Sequence, residues 1–141
     1  WLDQADVEGK TVIDYGCGSG ILAIAAALLG AEKVIGVDTD PQALEATQAN
    51  ATRNGVSIDT YLPDDCPDES CDLLLANILA GPLQSLSERL ANLTKAGAPI
   101  VLSGILESQA EDVSHSYQTW FDMEAPVFKD EWTRLVGQKQ S

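Results

Sequence analysis

Cations are scarce in this chain. Eight Lys+Arg stand against 22 Asp+Glu in 141 residues, a formal net charge of −14 and a pI near 4.1. That balance argues against a partner held by its phosphates, because duplex affinity comes mainly from cationic side chains. A basic partner such as a Lys-rich protein suits it, and so does a plain solvated acidic surface. Cysteine is also sparse. Cys17, Cys66 and Cys71 are an odd set without framework spacing, which excludes a disulfide scaffold and reads as free thiols in a reducing cytoplasm. With His115 as the one imidazole, the Cys66–Cys71 pair makes no zinc site, so no metal is expected. No apolar run approaches the roughly 18 residues of a membrane span, and no signal peptide opens the chain. At 15.0 kDa and 45% hydrophobic residues, one cytoplasmic domain with a real core is expected.

What is present is alternation. Thr11–Tyr15 reads as a buried strand ending in a glycine cluster, and Ile21, Leu22, Ile24, Ala25 and Leu28 then fall on one helical face stopped by Gly30. Lys33–Asp38 is a second strand, and Asp40-Pro41 opens a helix that runs to Asn54-Gly55. Strands are predicted at Ser57–Leu62, Asp72–Asn77 and Ile100–Ser103, with helices carried by Leu83, Leu86, Leu90 and Leu93 and by Leu106, Ala110, Val113 and Tyr117. Between the third and fourth strands the stretch from Pro63 to Cys71 is too short for a helix, and a single irregular turn is expected to make that crossover. Met123–Phe128 and Glu131–Val136 read as two strands joined at Lys129-Asp130, a hairpin that adds an antiparallel strand. The result is a doubly wound, mostly parallel seven-stranded α/β sheet with a C-terminal antiparallel hairpin.

In such sheets ligands bind beyond the carboxyl ends of the strands. The first strand ends Asp14-Tyr15-Gly16-Cys17-Gly18-Ser19-Gly20, a G-x-G-x-G spacing behind an acid. A dinucleotide fingerprint is spaced G-x-G-x-x-G; the spacing here is the form seen where S-adenosylmethionine binds. Asp38, closing the second strand, is placed to accept both ribose hydroxyls, while Asp40 is the better helix cap. Asp14 is expected to orient the glycine loop or reach the methionine amino group. Asn77, at the carboxyl end of an apolar strand, needs a partner for its amide if buried. It could accept from an incoming amine and donate to the cofactor carboxylate, or form an Asx turn before the next helix.

These segments, with Gly36–Leu44, Asn50, Arg53-Asn54-Gly55, Ala76–Leu83, Leu102–Leu106 and the closing Glu131–Leu135, resemble the bacterial PrmA family, methyltransferases of the ribosomal large-subunit protein L11. The glycine loop is shared widely; Asn77-Ile78-Leu79-Ala80-Gly81-Pro82-Leu83 is much more particular. The resemblance implies a Rossmann-like class I methyltransferase fold and methylation of lysine side chains and an α-amino group on a basic ribosomal protein. It implies cofactor contacts at Gly16, Asp38 and Asn77. Residues 1–141 are then expected to be the catalytic domain alone, starting inside a first helix and without the family's N-terminal substrate-recruiting domain. The candidate cofactor site is Asp14, Gly16, Cys17, Gly18, Gly20, Asp38 and Asn77, with Asn77 also the candidate catalytic residue.

The chemistry implied is direct displacement by a neutral amine. A free lysine has a reference pKa of about 10.4, so desolvation must favour the neutral form. No general base is evident. His115 reads as a surface residue, Cys17 as a small filler, and Trp120, Phe121 and Trp132 as core. The acidic loop Asp64–Glu69 either steers a basic substrate or is simply solvated. Tyr61 and Leu62, at the end of the third strand, are the candidate adenine contacts. Two other readings stay open: a class I methyltransferase acting on another protein lysine or a small amine, and a non-catalytic cofactor-binding module.

Overall fold

A computed structural model describes residues 6–140; the expected start within a first helix at Trp1 lies outside the described residues. The elements are β1 (Thr11–Tyr15), α1 (Ile21–Leu28), β2 (Lys33–Val37), α2 (Pro41–Arg53), β3 (Asp59–Tyr61), β4 (Leu73–Asn77), α3 (Ala80–Ser85), α4 (Ser87–Asn92), β5 (Pro99–Leu106), α5 (Ala110–Tyr117), β6 (Phe121–Met123), β7 (Val127–Lys129) and β8 (Trp132–Lys139). They build one sheet in the order β3-β2-β1-β4-β5-β8-β6, with the short β7 pairing only with β8. The first five of these strands are parallel, and β8 runs antiparallel to each strand it pairs with.

The central strands β2, β4 and β5 are apolar at most positions because both faces are covered. One face carries Ile13, Ile35, Leu74, Ile100 and Leu102 against Leu83, Leu90, Val113 and Tyr117 of α3, α4 and α5. The other carries Val12, Val34, Leu73, Leu75 and Val101 against Ala23, Ile24, Ala26 and Ala51 of α1 and α2. Burial of such side chains, at about 1.5–3 kcal/mol each, is the main drive of the fold. Helix signals act where expected: the Asp40 side chain accepts from the Gln42 amide at 2.9 Å, Pro41 opens α2, and Gly55 lies past its end with φ 68°.

Three expectations change. The helix predicted over Leu83–Leu93 is two short ones, α3 and α4, broken at Leu86. The predicted Met123–Phe128 strand is two pieces at opposite ends of β8, because Pro126 cannot donate to a ladder, and the sheet has eight strands rather than the expected seven. The tight connection is therefore Asp130-Glu131 between Lys129 and Trp132, with Asp130 at φ 57°. The β3–β4 crossover is made by one 3-10 turn at Pro63–Asp65. Beyond that turn the loop is held by Arg89, which pairs with Asp68 and donates to the Cys66 carbonyl at 3.2 Å, and by Lys33 bound to Glu69 at 2.6 Å. Two of the four acids of that loop are thus spent on holding it. Among the described residues no helix is long and apolar enough to cross a membrane.

Candidate functional site

The carboxyl ends of β1, β2, β4 and β5 open onto a cleft of about 540 Å³, within the usual range of small-molecule sites. Its first rim is the turn after β1. The Gly16 and Cys17 amides both donate to the Val37 carbonyl, at 2.6 and 3.0 Å, folding the turn back over β2. Gly16 sits at φ 83°, and a Cβ there would stand 2.2 Å from the Ile78 methyl, so only glycine allows the loop to lie this close to the β4 end. Helix α2 braces the loop from outside: the Thr47 hydroxyl donates to the Gly18 carbonyl at 3.0 Å and the Asn50 amide to the Ser19 carbonyl at 2.9 Å.

Asp38 is held at the centre of this rim. One carboxylate oxygen accepts from the Gly18 amide at 2.9 Å and the other from the Asp40 amide at 3.0 Å. Each oxygen keeps further acceptor capacity, and the residue lines the cleft beside Gly16, Gly18 and Thr39. Asp38 is thus a pre-oriented bidentate acceptor, while Asp40 caps the helix.

The remaining residues of the predicted site lie behind this surface. Asp14 is buried, and its Oδ1 has no partner among the described residues. Burial pushes its carboxyl up to about 7; the Ala23 amide opposes this and the charge of Asp38 adds to it. Cys17 is buried with its sulfur 3.5 Å from the Thr47 hydroxyl, and desolvation raises its thiol above the ordinary value. Gly20 packs on Thr47 at the start of α1. Asp14, Cys17 and Gly20 stay off the cleft surface, which Gly16, Gly18, Asp38 and Asn77 line.

The second rim comes from the other half of the chain. Asn77 ends β4 exposed in the cleft, and among the described residues its amide makes no side-chain bond to the following helix. The structure shows neither a buried, paired amide nor an Asx turn at this position. Sequence reasoning missed two residues here. Gly104, at φ 81°, sits in a register shift of β5 between Leu102 and Ile105, where a Cβ would come 2.7 Å from the Asn77 Oδ1. Trp132, expected in the core, is half-exposed and walls the cleft, whereas Phe121 is buried as expected. The signal for Trp132 was its phase: in Trp132-Thr133-Arg134-Leu135 it alternates with Arg134 away from the buried Thr133 and Leu135. His115 is exposed on α5, away from the cleft. Tyr61 does not line the cleft; Leu62 lines an adjoining hollow with Thr39 and Pro63.

Known proteins share this architecture. The chain is similar to a protein named ribosomal protein L11 methyltransferase from Marinobacter nauticus, 57% identical over 99% of this chain and 48% of the relative. Another of that name, from Shewanella halifaxensis, is 56% identical over 97% of this chain and 48% of the relative. The chain spans about half the length of the curated relatives it matches. A crystal structure of a ribosomal protein L11 methylase from Lactobacillus delbrueckii subsp. bulgaricus superposes with TM-score 0.90 at 31% identity, over 99% of this chain and 75% of that one. An RNA methyltransferase from Salinibacter ruber, solved with S-adenosyl-L-homocysteine, shares the fold at TM-score 0.78 and 19% identity, over 99% of this chain and 88% of that one. The family model described as ribosomal protein L11 methyltransferase (PrmA) matches residues 1–140, and the chain belongs to that family.

Proposed function

We propose that residues 1–141 form a catalytic domain that binds S-adenosylmethionine in the cleft and methylates amines of ribosomal protein L11, a basic substrate met in the cytoplasm. The observation that carries this reading is the Asp38 carboxylate, fixed by two backbone amides beside a glycine turn and facing the cleft. The fit extends to the rim itself: a side chain at Gly16 would collide with Ile78 and disrupt the cradle. The names of the relatives support L11 as substrate, and the Salinibacter structure with S-adenosyl-L-homocysteine supports the cofactor. The net charge of −14 supports a basic protein rather than a nucleic acid.

In this reading Asp38 takes the ribose hydroxyls on its free lone pairs, and Gly16 and Gly18 let the backbone approach the cofactor closely. Asp14, with Cys17 and Gly20, holds the loop from behind. When bound, S-adenosylmethionine supplies a methyl group on a sulfonium, which an amine takes in line as the carbon–sulfur bond breaks. Asn77 faces that position with an uncommitted amide: its oxygen accepts an N–H of the incoming amine and orients the lone pair. The test is methyl transfer from labelled S-adenosylmethionine to purified L11, with unmodified L11 and a small amine as competing acceptors. Label on L11 amines supports the reading. Label on the small amine alone favours a different substrate class, and no label with intact cofactor binding favours a non-catalytic module.

A further inference from the structure

A second chamber of about 490 Å³ adjoins the cleft and shares Asn77, Gly104 and Trp132 with it. Much of its remaining wall is one face of the β7–β8 hairpin. Val127 pairs with Arg134 and Lys129 with Trp132, so these four side chains share a face, while Thr133 and Leu135 alternate to the buried side. In a chain of net charge −14 this face carries two of the eight Lys+Arg, and no Asp or Glu lines the chamber. Several of the other cations are already engaged: Lys33, Arg89 and Lys95 pair with acids, and Lys139 donates to the Ala91 and Thr94 carbonyls. The nearest acids in sequence, Asp130 and Glu131, form the hairpin turn, and Glu131 opens on a separate hollow with Glu107 and Glu111. Asp38 faces the first cleft, and Asp14 lies buried beneath it.

A positive chamber beside the methyl-transfer position disfavours an ammonium by like-charge repulsion and leaves a neutral amine unopposed. We propose that this chamber receives the acceptor amine and that Arg134, with Lys129 beside it, makes it selective for the neutral amine over the ammonium. The inference rests on the methyl-transfer reading above. A nearby like charge disfavours a protonated amine, and only the neutral form has the lone pair that bonds to carbon. The proton passes to water before the amine enters. The acidic exterior then gathers basic substrate, and the cationic chamber admits it only after the proton is lost.

Glycinamide is a suitable probe, because its α-amine titrates in the α-amino range of about 8. Its binding to the 141-residue chain can be followed through Trp132, which is 50% exposed in the chamber wall. Binding at about pH 9.5 is expected to be at least tenfold tighter than at about pH 6. The permanently cationic trimethylated analogue should bind at neither pH. Arg134→Gln should cut the discrimination by about tenfold and Arg134→Lys should keep it; the ratio of variant to parent at each pH cancels any titration of Asp14. Equal or tighter binding of the cationic forms, an unchanged ratio in Arg134→Gln, or no binding of the neutral form overturns the proposal. Titration of the same proteins with S-adenosylhomocysteine separates the two failures. Absence of that binding in the parent chain sinks the methyl-transfer reading, whereas its presence with failed discrimination sinks the chamber's role alone.

Discussion

The two rims of the cleft are built in different ways. The first, from Tyr15 to Asp40, is local: a strand, a glycine turn, a carboxylate and a helix cap within one βαβ unit, tied by backbone amides to Val37 and Asp38. The second, Asn77 with Gly104 and Trp132, is assembled from three strands distant in sequence. It depends on a register shift in β5 and on the alternation of β8. The first rim is rigid and holds a carboxylate in place. The second leaves an amide uncommitted and aromatic surface open. A rim of the first kind suits a constant ligand, and one of the second kind suits an acceptor that comes and goes.

Substitutions can break this contrast, and the largest effect belongs to the first rim. Asp38→Ala removes both the proposed ribose acceptor and the anchor of the Gly18 and Asp40 amides. S-adenosylhomocysteine affinity should fall roughly hundredfold, at about 1.5–3 kcal/mol for hydrogen bonds to a charged group; unchanged affinity in calorimetry would remove Asp38 from the site. On the second rim, Asn77→Ala should lower turnover about ten- to hundredfold through lost orientation of the amine. Its melting temperature should hardly move, since exposed substitutions usually stay within about 0.5 kcal/mol. A loss of stability equal to the loss of rate would make Asn77 a structural residue.

Gly104→Ala sharpens the contrast further, because it acts on Asn77 without touching the first rim. Turnover should fall several-fold while cofactor affinity stays within about twofold; parallel loss of both would show that the rims are coupled. The remaining test is a pH slope beneath the first rim. Asp14 is raised from 3.8 to about 7, so the fold favours its protonated form. Its contribution to stability is complete below pH 3.8 and is lost as pH rises through about 7. Asp14→Asn should flatten the decline in melting temperature over that window, and an identical slope in both proteins would show that the buried carboxyl is not its source.

Legibility in the sequence divided along the same line. The glycine turn at Gly16 and Gly18, the strand end at Asp38 and the cap at Asp40 could be read because they are encoded within a few residues of one another. The two-sided core could be read because each buried strand is apolar at nearly every position. The break at Leu86 and the split of Met123–Phe128 could not, since Leu spacing is the same across a broken helix and strand propensity does not reveal which end of β8 each piece joins. Gly104 falls just past the predicted Ile100–Ser103 strand, and the register shift that places it against Asn77 depends on β8. Residue type alone places Trp132 in the core, whereas its phase with Arg134 points it outward.

The central claim is that the cleft is built for S-adenosylmethionine, and calorimetric titration of the chain with S-adenosylhomocysteine, with NADH alongside, tests it most directly. The account predicts saturable one-to-one binding of S-adenosylhomocysteine and none of NADH. Binding of NADH instead, or of neither compound, would contradict it.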